Sequence, residues 1–156
     1  MKSDTIVTLN RSDQIDYVSK HLVPGAGLLV RLLVRQLGGE VSRTEVGLLS
    51  TLSSGPRRIT ELAELEGLAQ PTMTSLVKQL EQRGLVRRGR HADDGRVVLV
   101  HLTDIGAAAL ADYRARARDL LGTYLAEIPD EQVEALADAT AAVTQLVGLL
   151  QQQQIR

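Results

Sequence analysis

Residues 90–103, RHADDGRVVLVHLT, place two adjacent aspartates and a histidine between arginines, ahead of an alternating apolar run. His91, Asp93 and Asp94 are residue types that ligate metal ions, and two neighbouring carboxylates are the residue types of an acid–base pair. The arginines are instead suited to binding a polyanion. The chain around this segment must decide between these chemistries.

A metal site or a catalytic site in this segment is disfavoured by geometry. One histidine and adjacent acids in a tight turn cannot converge three ligands on one ion. Acid–base catalysis needs two carboxyl groups that face each other across a cleft in different environments. The chain also shows no Ser–His–Asp pattern, phosphate loop or nucleotide fingerprint. We therefore expect no metal, no cofactor and no enzymatic activity.

The composition indicates a globular protein with an aliphatic core, since 44% of residues are hydrophobic and there is no Phe or Trp. The lack of these aromatic rings removes the platforms on which single-stranded nucleic acids stack. The absence of Cys excludes disulfides and thiolate metal sites. Arg31, Arg35 and His101 interrupt the aliphatic stretches, and the first residues contain no apolar signal core. We expect a cytoplasmic protein without a membrane segment.

Charge is unevenly distributed along a chain whose net charge is only −1. The cationic residues concentrate in one stretch that contains Arg83, Arg87, Arg88, Arg90 and Arg96. A solvated surface is the simplest explanation of such a charge run. A phosphate-binding surface is the alternative, and the secondary-structure elements around the stretch favour it.

Several local signals predict the elements that position these residues. Helical periodicity covers residues 12–37, with a kink or two abutting helices expected at Pro24-Gly25. The capping box Ser42-Arg43-Thr44-Glu45 opens a helix to about residue 53, Thr60 caps a helix that stops at Gly67, and Pro71 lies in the first turn of a helix that ends at Gly84. Residues 85–88 and 97–102 read as strands joined by an Asp94-Gly95 turn.

Two long helices are predicted at the C-terminal end, over residues 103–128 and from Pro129 onward. In the last of them, a pattern of apolar residues and one Thr recurs at alternating steps of three and four, as in a coiled coil. These positions are Val133, Leu136, Thr140, Val143, Val147 and Leu150. Together with the first helix they form more apolar surface than a small domain needs, and we expect a homodimer interface.

The order helix, helix, turn, helix and hairpin is the layout of a winged helix-turn-helix. The second helix of the pair, at about residues 70–83, fits the DNA major groove, and the wing at residues 87–97 fits the minor groove. The free face of this recognition helix carries polar side chains, namely Gln70, Thr72, Thr74, Ser75, Lys78 and Gln79. Arg87, Arg88 and Arg90 share the hairpin and are expected to contact phosphate.

The stretches ITELAELEGLAQPTMTSLVKQLEQRGLVRR and DDGRVVLVHLTDIG resemble the multiple-antibiotic-resistance regulator (MarR) family. The resemblance is close over about residues 41–106. It implies a homodimeric transcription regulator, usually a repressor, that binds near-palindromic duplex DNA and is released by a small phenolic or anionic ligand. It also implies that Thr72, Thr74, Ser75 and Lys78 meet DNA. Asp94 and Arg96 would be the family's D-x-R pair, in which Arg96 reaches the minor groove and Asp94 braces either Arg96 or the wing backbone.

One position departs from the family pattern, and the role of one pair of residues stays open. Ala69 stands where a Ser or Thr helix cap is frequent, which would cost about 1 kcal/mol unless Gln70 substitutes. Tyr17 and His21, spaced i, i+4, are weak candidates for effector binding, although such a pair more often serves packing or lies on the surface.

The sequence therefore predicts a mostly α-helical winged helix-turn-helix protein with a small β-hairpin wing and long N- and C-terminal dimerisation helices. We expect a single domain over residues 1–156, with a DNA-binding lobe at 41–102 and a helical dimerisation region at 12–38 and 103–152. The alternative function is a winged-helix module that binds another protein and not DNA.

Overall fold

The computed structural model describes residues 10–39, 41–90 and 97–154, with side chains as far as Gln152. Within these residues the chain forms six helices and one antiparallel hairpin. In chain order they are α1 (Arg11–Leu37), α2 (Arg43–Leu52), α3 (Ile59–Leu65), α4 (Gln70–Gln82), β1 (Val86–Arg90), β2 (Val98–Leu102), α5 (Asp104–Leu125) and α6 (Asp130–Gln154). The mostly helical fold with a small hairpin wing is confirmed. Asp94 and Arg96, together with the predicted Asp94-Gly95 turn, lie outside the described residues.

The chain divides into two compact units, Met1–Ala117 and Arg118–Arg156, with the boundary inside α5. The predicted single domain, with its lobe at 41–102 and its flanking helical regions, stays a prediction.

Helix α1 runs without interruption through Pro24, so the two abutting helices considered from the sequence do not form. The helix begins at Asn10, whose side chain accepts a hydrogen bond from the Asp13 backbone N at 3.0 Å. It ends where Gly38 takes a φ of 52°, a conformation that glycine adopts without steric cost. No described residue of α1 is buried.

The hydrophobic core lies inside the winged-helix lobe, which we define as residues 41–102, and also includes Leu110 of α5. Its largest fully buried side chains are Leu48, Leu49, Leu62, Met73, Val77, Leu80, Val86 and Val100. The core is aliphatic apart from Met73, as the composition predicts. It thus holds α4 and the hairpin against α2 and α3.

The predicted N-terminal cap is correct for α2 and wrong for α3. At α2 the capping box is complete, because Ser42 Oγ accepts from the Glu45 backbone N at 3.3 Å and the Ser42 backbone N donates to Glu45 Oε2 at 2.6 Å. At α3 the predicted cap Thr60 is wrong, since the helix begins at Ile59 with Arg58 as N-cap. The Arg58 backbone N donates to Glu61 Oε2 at 3.2 Å. Glu61 therefore satisfies the N-terminal backbone in place of a hydroxyl.

The hairpin pairs Val86 with Leu102 and Arg90 with Val98. A bridge from Arg57 extends it, because Arg57 and Val100 exchange backbone hydrogen bonds of 3.2 and 2.8 Å. Val100 is fully buried, so the base of the wing belongs to the core. The wing is consequently anchored at its base.

The start of α5 is hydrogen-bonded to the residues that follow α4. Thr103 Oγ1 donates toward the carbonyl oxygens of Gly84 and Leu85, at 2.6 and 3.0 Å, and accepts from the Gly106 backbone N at 3.0 Å. A β-carbon at Gly106 would lie 2.0 Å from the Leu85 carbonyl oxygen. Only glycine permits this approach, which explains the Leu-Thr-x-x-Gly motif at residues 102–106 in physical terms.

Candidate nucleic-acid interface

Helix α4 buries one side and exposes the other. Met73, Val77 and Leu80 have no exposed surface, and their spacing places them on one line along the helix. The exposed side chains are Gln70, Pro71, Thr72, Thr74, Ser75, Lys78, Gln79 and Gln82. These include every recognition-helix residue selected from the sequence. The outward face therefore offers amides, hydroxyls and one ammonium group.

The first turn of α4 has no side-chain cap. Ala69 is the N-cap and makes no capping hydrogen bond, and Gln70 does not replace it. Pro71 occupies the first turn, where its missing N–H is not needed. Thr74 Oγ1 donates to the Gln70 carbonyl at 2.8 Å. The Thr74 hydroxyl thus already donates its one hydrogen bond within the helix, and its oxygen can still accept one.

The C-terminal end of α4 is held by a half-exposed ion pair. Arg83 Nη1 lies 2.6 Å from Oε1 of Glu45, whose residue is only 8% exposed. The same carboxylate closes the capping box of α2 through its other oxygen. Glu45 therefore joins the start of α2 to the end of the recognition helix.

A second ion pair joins α4 to the wing. Glu81 Oε1 accepts from the Arg88 backbone N at 3.1 Å, and Glu81 Oε2 lies 3.4 Å from Arg88 Nε. Both side chains are more than one third exposed, so the pair stabilises the fold by about 1 kcal/mol or less. Its clearer effect is geometric, because it fixes the first strand of the wing relative to α4. Arg88 is a tied cation here, and its contact with phosphate stays a prediction.

The three hairpin arginines do not share one face. Side chains alternate along a strand, so Arg88 and Arg90 lie on the face of Val100, and Arg87 lies on the opposite face with His101. Arg90 and Arg87 are both exposed. The wing therefore presents cations on two sides.

On the Arg87 face, the guanidinium group of Arg87 and the imidazole ring of His101 lie close together beside Gly89. A β-carbon at Gly89 would lie 3.0 Å from His101 Nε2 and 3.2 Å from Arg87 Nη1. His101 Nε2 is shielded from solvent and has no hydrogen-bond partner among the described residues. Burial, and then the nearby positive charge of Arg87, lower the pKa of His101 below its ordinary value of 6.5. His101 faces away from the buried Val100, as the strand pattern predicts.

The weak effector candidates Tyr17 and His21 lie together on α1. Their rings stack with centroids 4.4 Å apart and an interplanar angle of 26°. His21 Nδ1 lies 2.7 Å from the Tyr17 carbonyl oxygen, and both residues are exposed. These contacts account for the pair as a local feature of the helix, and its role in ligand binding stays a prediction. Within the described residues no group of three potential metal ligands occurs.

Four positioning residues are not among the site residues that the sequence predicts. Glu45 and Glu81 hold the C-terminal end of α4 and the wing, and Thr103 and Gly106 hold the start of α5 against the same segment. Each lies inside a motif that the sequence displays, namely S-x-x-E, L-E-x-x-G and L-T-x-x-G. The motifs were a usable signal. The partner that each residue contacts was not visible in them.

Helix α6 presents a long apolar surface. Residues Asp130–Gln152 have a mean hydropathy of 1.4 over their most apolar window, none of which is buried, so the helix is long and apolar enough to cross a membrane by length and composition. The expectation of no membrane segment stays a prediction, because Thr and Gln residues interrupt the aliphatic runs of this helix without making it polar. Its exposed large side chains are Leu136, Val143, Leu146, Val147, Leu149 and Leu150.

Comparison with known proteins places these features in one family context. The model of the MarR family matches residues 41–98. The HTH-type transcriptional repressor MdtR of Bacillus subtilis is 28% identical over 98 residues, which span 63% of this chain and 63% of MdtR. An uncharacterized HTH-type transcriptional regulator of Mycobacterium bovis is 30% identical over 132 residues, spanning 81% of this chain and 92% of that protein.

Solved structures show the same fold. A MarR family protein from Bacillus stearothermophilus superposes with a TM-score of 0.69 at 21% identity, covering 90% of this chain and 99% of that one. Apo MarR from Escherichia coli gives a TM-score of 0.66 at 20% identity, covering 79% of this chain and 96% of that one. At these identities the likeness concerns the fold, and it is the winged-helix fold.

Proposed function

Because the chain belongs to the MarR family of transcription regulators and has its DNA-binding winged helix, we propose that it binds duplex DNA as a homodimer and represses transcription until a small ligand releases it. The observation that carries the proposal is the α4 face. It is polar and exposed, and the Glu45–Arg83 and Glu81–Arg88 contacts hold the C-terminal end of the helix in the lobe, which suits a helix that enters the major groove.

In this proposal the exposed face of α4 lies in the major groove and the wing reaches the minor groove. Thr72, Ser75 and Lys78 are exposed and accept or donate hydrogen bonds to base edges and phosphates. Arg90 is the exposed cation nearest the described end of β1, and Arg96 lies beyond it in the D-x-R motif. Cationic side chains at the wing match the negative potential of a narrow minor groove.

Dimerisation is supported by the unburied apolar faces of α1 and α6. Val23 and Leu149 are 75% and 60% exposed, and neither helix buries a large hydrophobic side chain within the chain. Extended apolar patches of this kind mark interaction surfaces. In α6 the apolar residues follow three-four spacing along one side, and Asp138 and Gln145 lie away from that side. An apolar surface on one side of a helix suits packing against another helix, whereas lipid would surround the helix on all sides. The two half-sites would then lie about 10 bp apart.

Repression and ligand release rest on similarity alone. MdtR is named a transcriptional repressor, and the family resemblance implies release by a small phenolic or anionic ligand. Tyr17 and His21 remain the candidates that the sequence suggests for this ligand.

A salt titration of duplex binding tests the proposal. Fluorescence anisotropy with genomic duplex fragments should show an affinity that falls linearly on a log–log plot against salt. Lys78→Ala should weaken binding to all fragments alike and lower the slope by about 1. Lys20→Ala is the control, because Lys20 lies on α1 and pairs with Asp16 at 2.6 Å. Absence of salt-sensitive binding by the unmodified protein would contradict the proposal and favour the protein-binding module.

A further inference from the structure

The exposed face of α4 also points to the base pairs that it reads. We propose that Thr72 and Gln79 form one flank of the recognition helix that selects A·T base pairs in the major groove of each half-site. The inference rests on the proposed function, because it assigns the specificity of the same DNA-binding surface.

The chemistry of the exposed groups favours adenine and thymine. In the major groove adenine presents an N7 acceptor beside an N6 donor, which a glutamine amide matches with two hydrogen bonds. Thymine presents a C5-methyl group, which a threonine methyl contacts. The Gln79 and Thr72 side chains are exposed and make no hydrogen bond to the described part of the chain. Both are therefore available to a base edge.

The groups that would read G·C pairs are mostly engaged elsewhere. Guanine is read best by a guanidinium or ammonium group, and cytosine by a carboxylate. The arginines that follow and face α4 are bound internally, Arg83 at 2.6 Å from Glu45 and Arg88 at 3.4 Å from Glu81. The Glu81 carboxylate is occupied by the same contact. Lys78 is the single cation that α4 itself contributes, so guanine readout by this helix is limited to one position.

The placement of Thr72 and Gln79 matches the spacing of base pairs. They are seven residues apart, which puts them on the same line two turns apart and about 10 Å along the axis. That distance corresponds to about three base-pair steps of 3.4 Å. Gln70, Thr74 and Glu81 lie on the other flank, which the Glu81–Arg88 contact identifies as the side of the wing. Thr72 and Gln79 are thus clear of the wing.

Atomic substitution in the DNA separates this readout from that of the wing. A duplex bound tightly by the wild-type protein is first selected from a random library. Each adenine is then replaced by 7-deazaadenine, which removes N7 and leaves base pairing and the minor groove unchanged. Wild type should lose about 5- to 100-fold in affinity at one adenine per half-site. Gln79→Ala should bind both duplexes equally.

Thymine is tested in the same way with deoxyuridine, which lacks the C5-methyl group. Wild type should lose affinity at one thymine per half-site, by less than at the adenine. Thr72→Ser, which keeps the hydroxyl and removes the methyl, should bind the two duplexes equally. Gln132→Ala on α6 is the matched control and should respond to both replacements as wild type does.

The outcomes distinguish the inference from the function on which it rests. Two results would overturn the A·T readout while duplex binding stands. In one, the base pair at which Gln79→Ala loses selectivity is G·C. In the other, the wild type binds specifically and its affinity is unchanged by every 7-deazaadenine replacement. If wild type binds no duplex in a salt-sensitive way, the proposed function itself fails.

Discussion

The winged-helix lobe and the helices α1 and α6 are built from the same aliphatic residues and use them differently. In the lobe, Leu48, Leu62 and Val77 are completely buried. In α1 no described residue is buried, and in α6 Leu136 and Leu150 remain 48% and 56% exposed. The lobe therefore closes its core within one chain. The two helices leave apolar surface exposed.

The sharpest test of the closed lobe is Gly106→Ala. The added β-carbon would lie 2.0 Å from the Leu85 carbonyl oxygen, and backbone cannot move aside as a side chain can. We expect a loss of about 3 kcal/mol or more in the free energy of unfolding, measured by urea denaturation. Gly122→Ala in the same helix is the control, because nothing lies within 4 Å of its new methyl group. An equal loss in both variants would show that the close approach is not what matters.

Substitutions on the exposed apolar face of α6 should weaken dimerisation and leave the stability of the lobe unchanged. Val147→Glu puts a carboxylate on the line of residues that recurs at three-four spacing in α6. Burying this charge in a dimer should weaken association roughly 100-fold. Analytical ultracentrifugation over a range of protein concentrations measures the change. Gln145→Glu adds the same charge beside this line and should leave the dimer intact. A dimer that tolerates Val147→Glu would remove α6 from the interface.

A similar comparison can be made inside the wing, between an arginine that is held by an internal ion pair and one that is exposed. Arg90→Ala removes an exposed cation, so the salt dependence of duplex binding should fall by about 1 in log–log slope. Arg88→Ala removes a cation tied to Glu81. It should weaken binding by about 1 kcal/mol or less through the position of the wing, and it should lower the slope less than Arg90→Ala does. Equal slope changes in the two variants would mean that Arg88 leaves Glu81 to bind phosphate.

The smallest expected effect is a pH dependence that originates in His101. Its pKa is lowered in the folded chain, so the unfolded chain binds the proton more readily. The free energy of unfolding should be at its full value above the ordinary pKa of 6.5 and decline as the pH falls from there toward the lowered pKa. His101→Gln should flatten this part of the profile, measured by thermal unfolding between pH 5 and 8. A profile identical to that of wild type would assign the dependence to other groups.

Much of the lobe was predictable because its signals are local. The Ser42 and Glu45 capping box, the start of α4 at Gln70-Pro71 and the alternation in β2 each depend on a few neighbouring residues. The exposed face of α4 followed from helical spacing. Local rules also failed where two of them competed, as at Thr60, where Arg58 and Glu61 supply the helix start in place of the hydroxyl.

The rest could not be predicted because it depends on contacts between distant residues. Glu45 and Arg83 are 38 positions apart, and Glu81 and Arg88 belong to different elements, so neither pairing is visible in the sequence, where both arginines are only members of a basic stretch. Pro24 was expected to allow a division of α1, yet the helix continues through it. A proline removes one hydrogen bond, and the remaining bonds of a 27-residue helix are enough to carry it past that position.

The contact between Glu45 and Arg83 has a consequence for the order in which the lobe folds. The two residues are 38 positions apart, and an oxygen of the same carboxylate already serves the first turn of α2. The cap can form as soon as α2 does, whereas the distant contact needs a long loop to close, at an entropic cost that local contacts avoid. We therefore expect Glu45 to take part in an early step and in a late one. Loss of the Arg83–Glu45 contact should act chiefly by speeding the unfolding reaction, since that contact belongs to the late step.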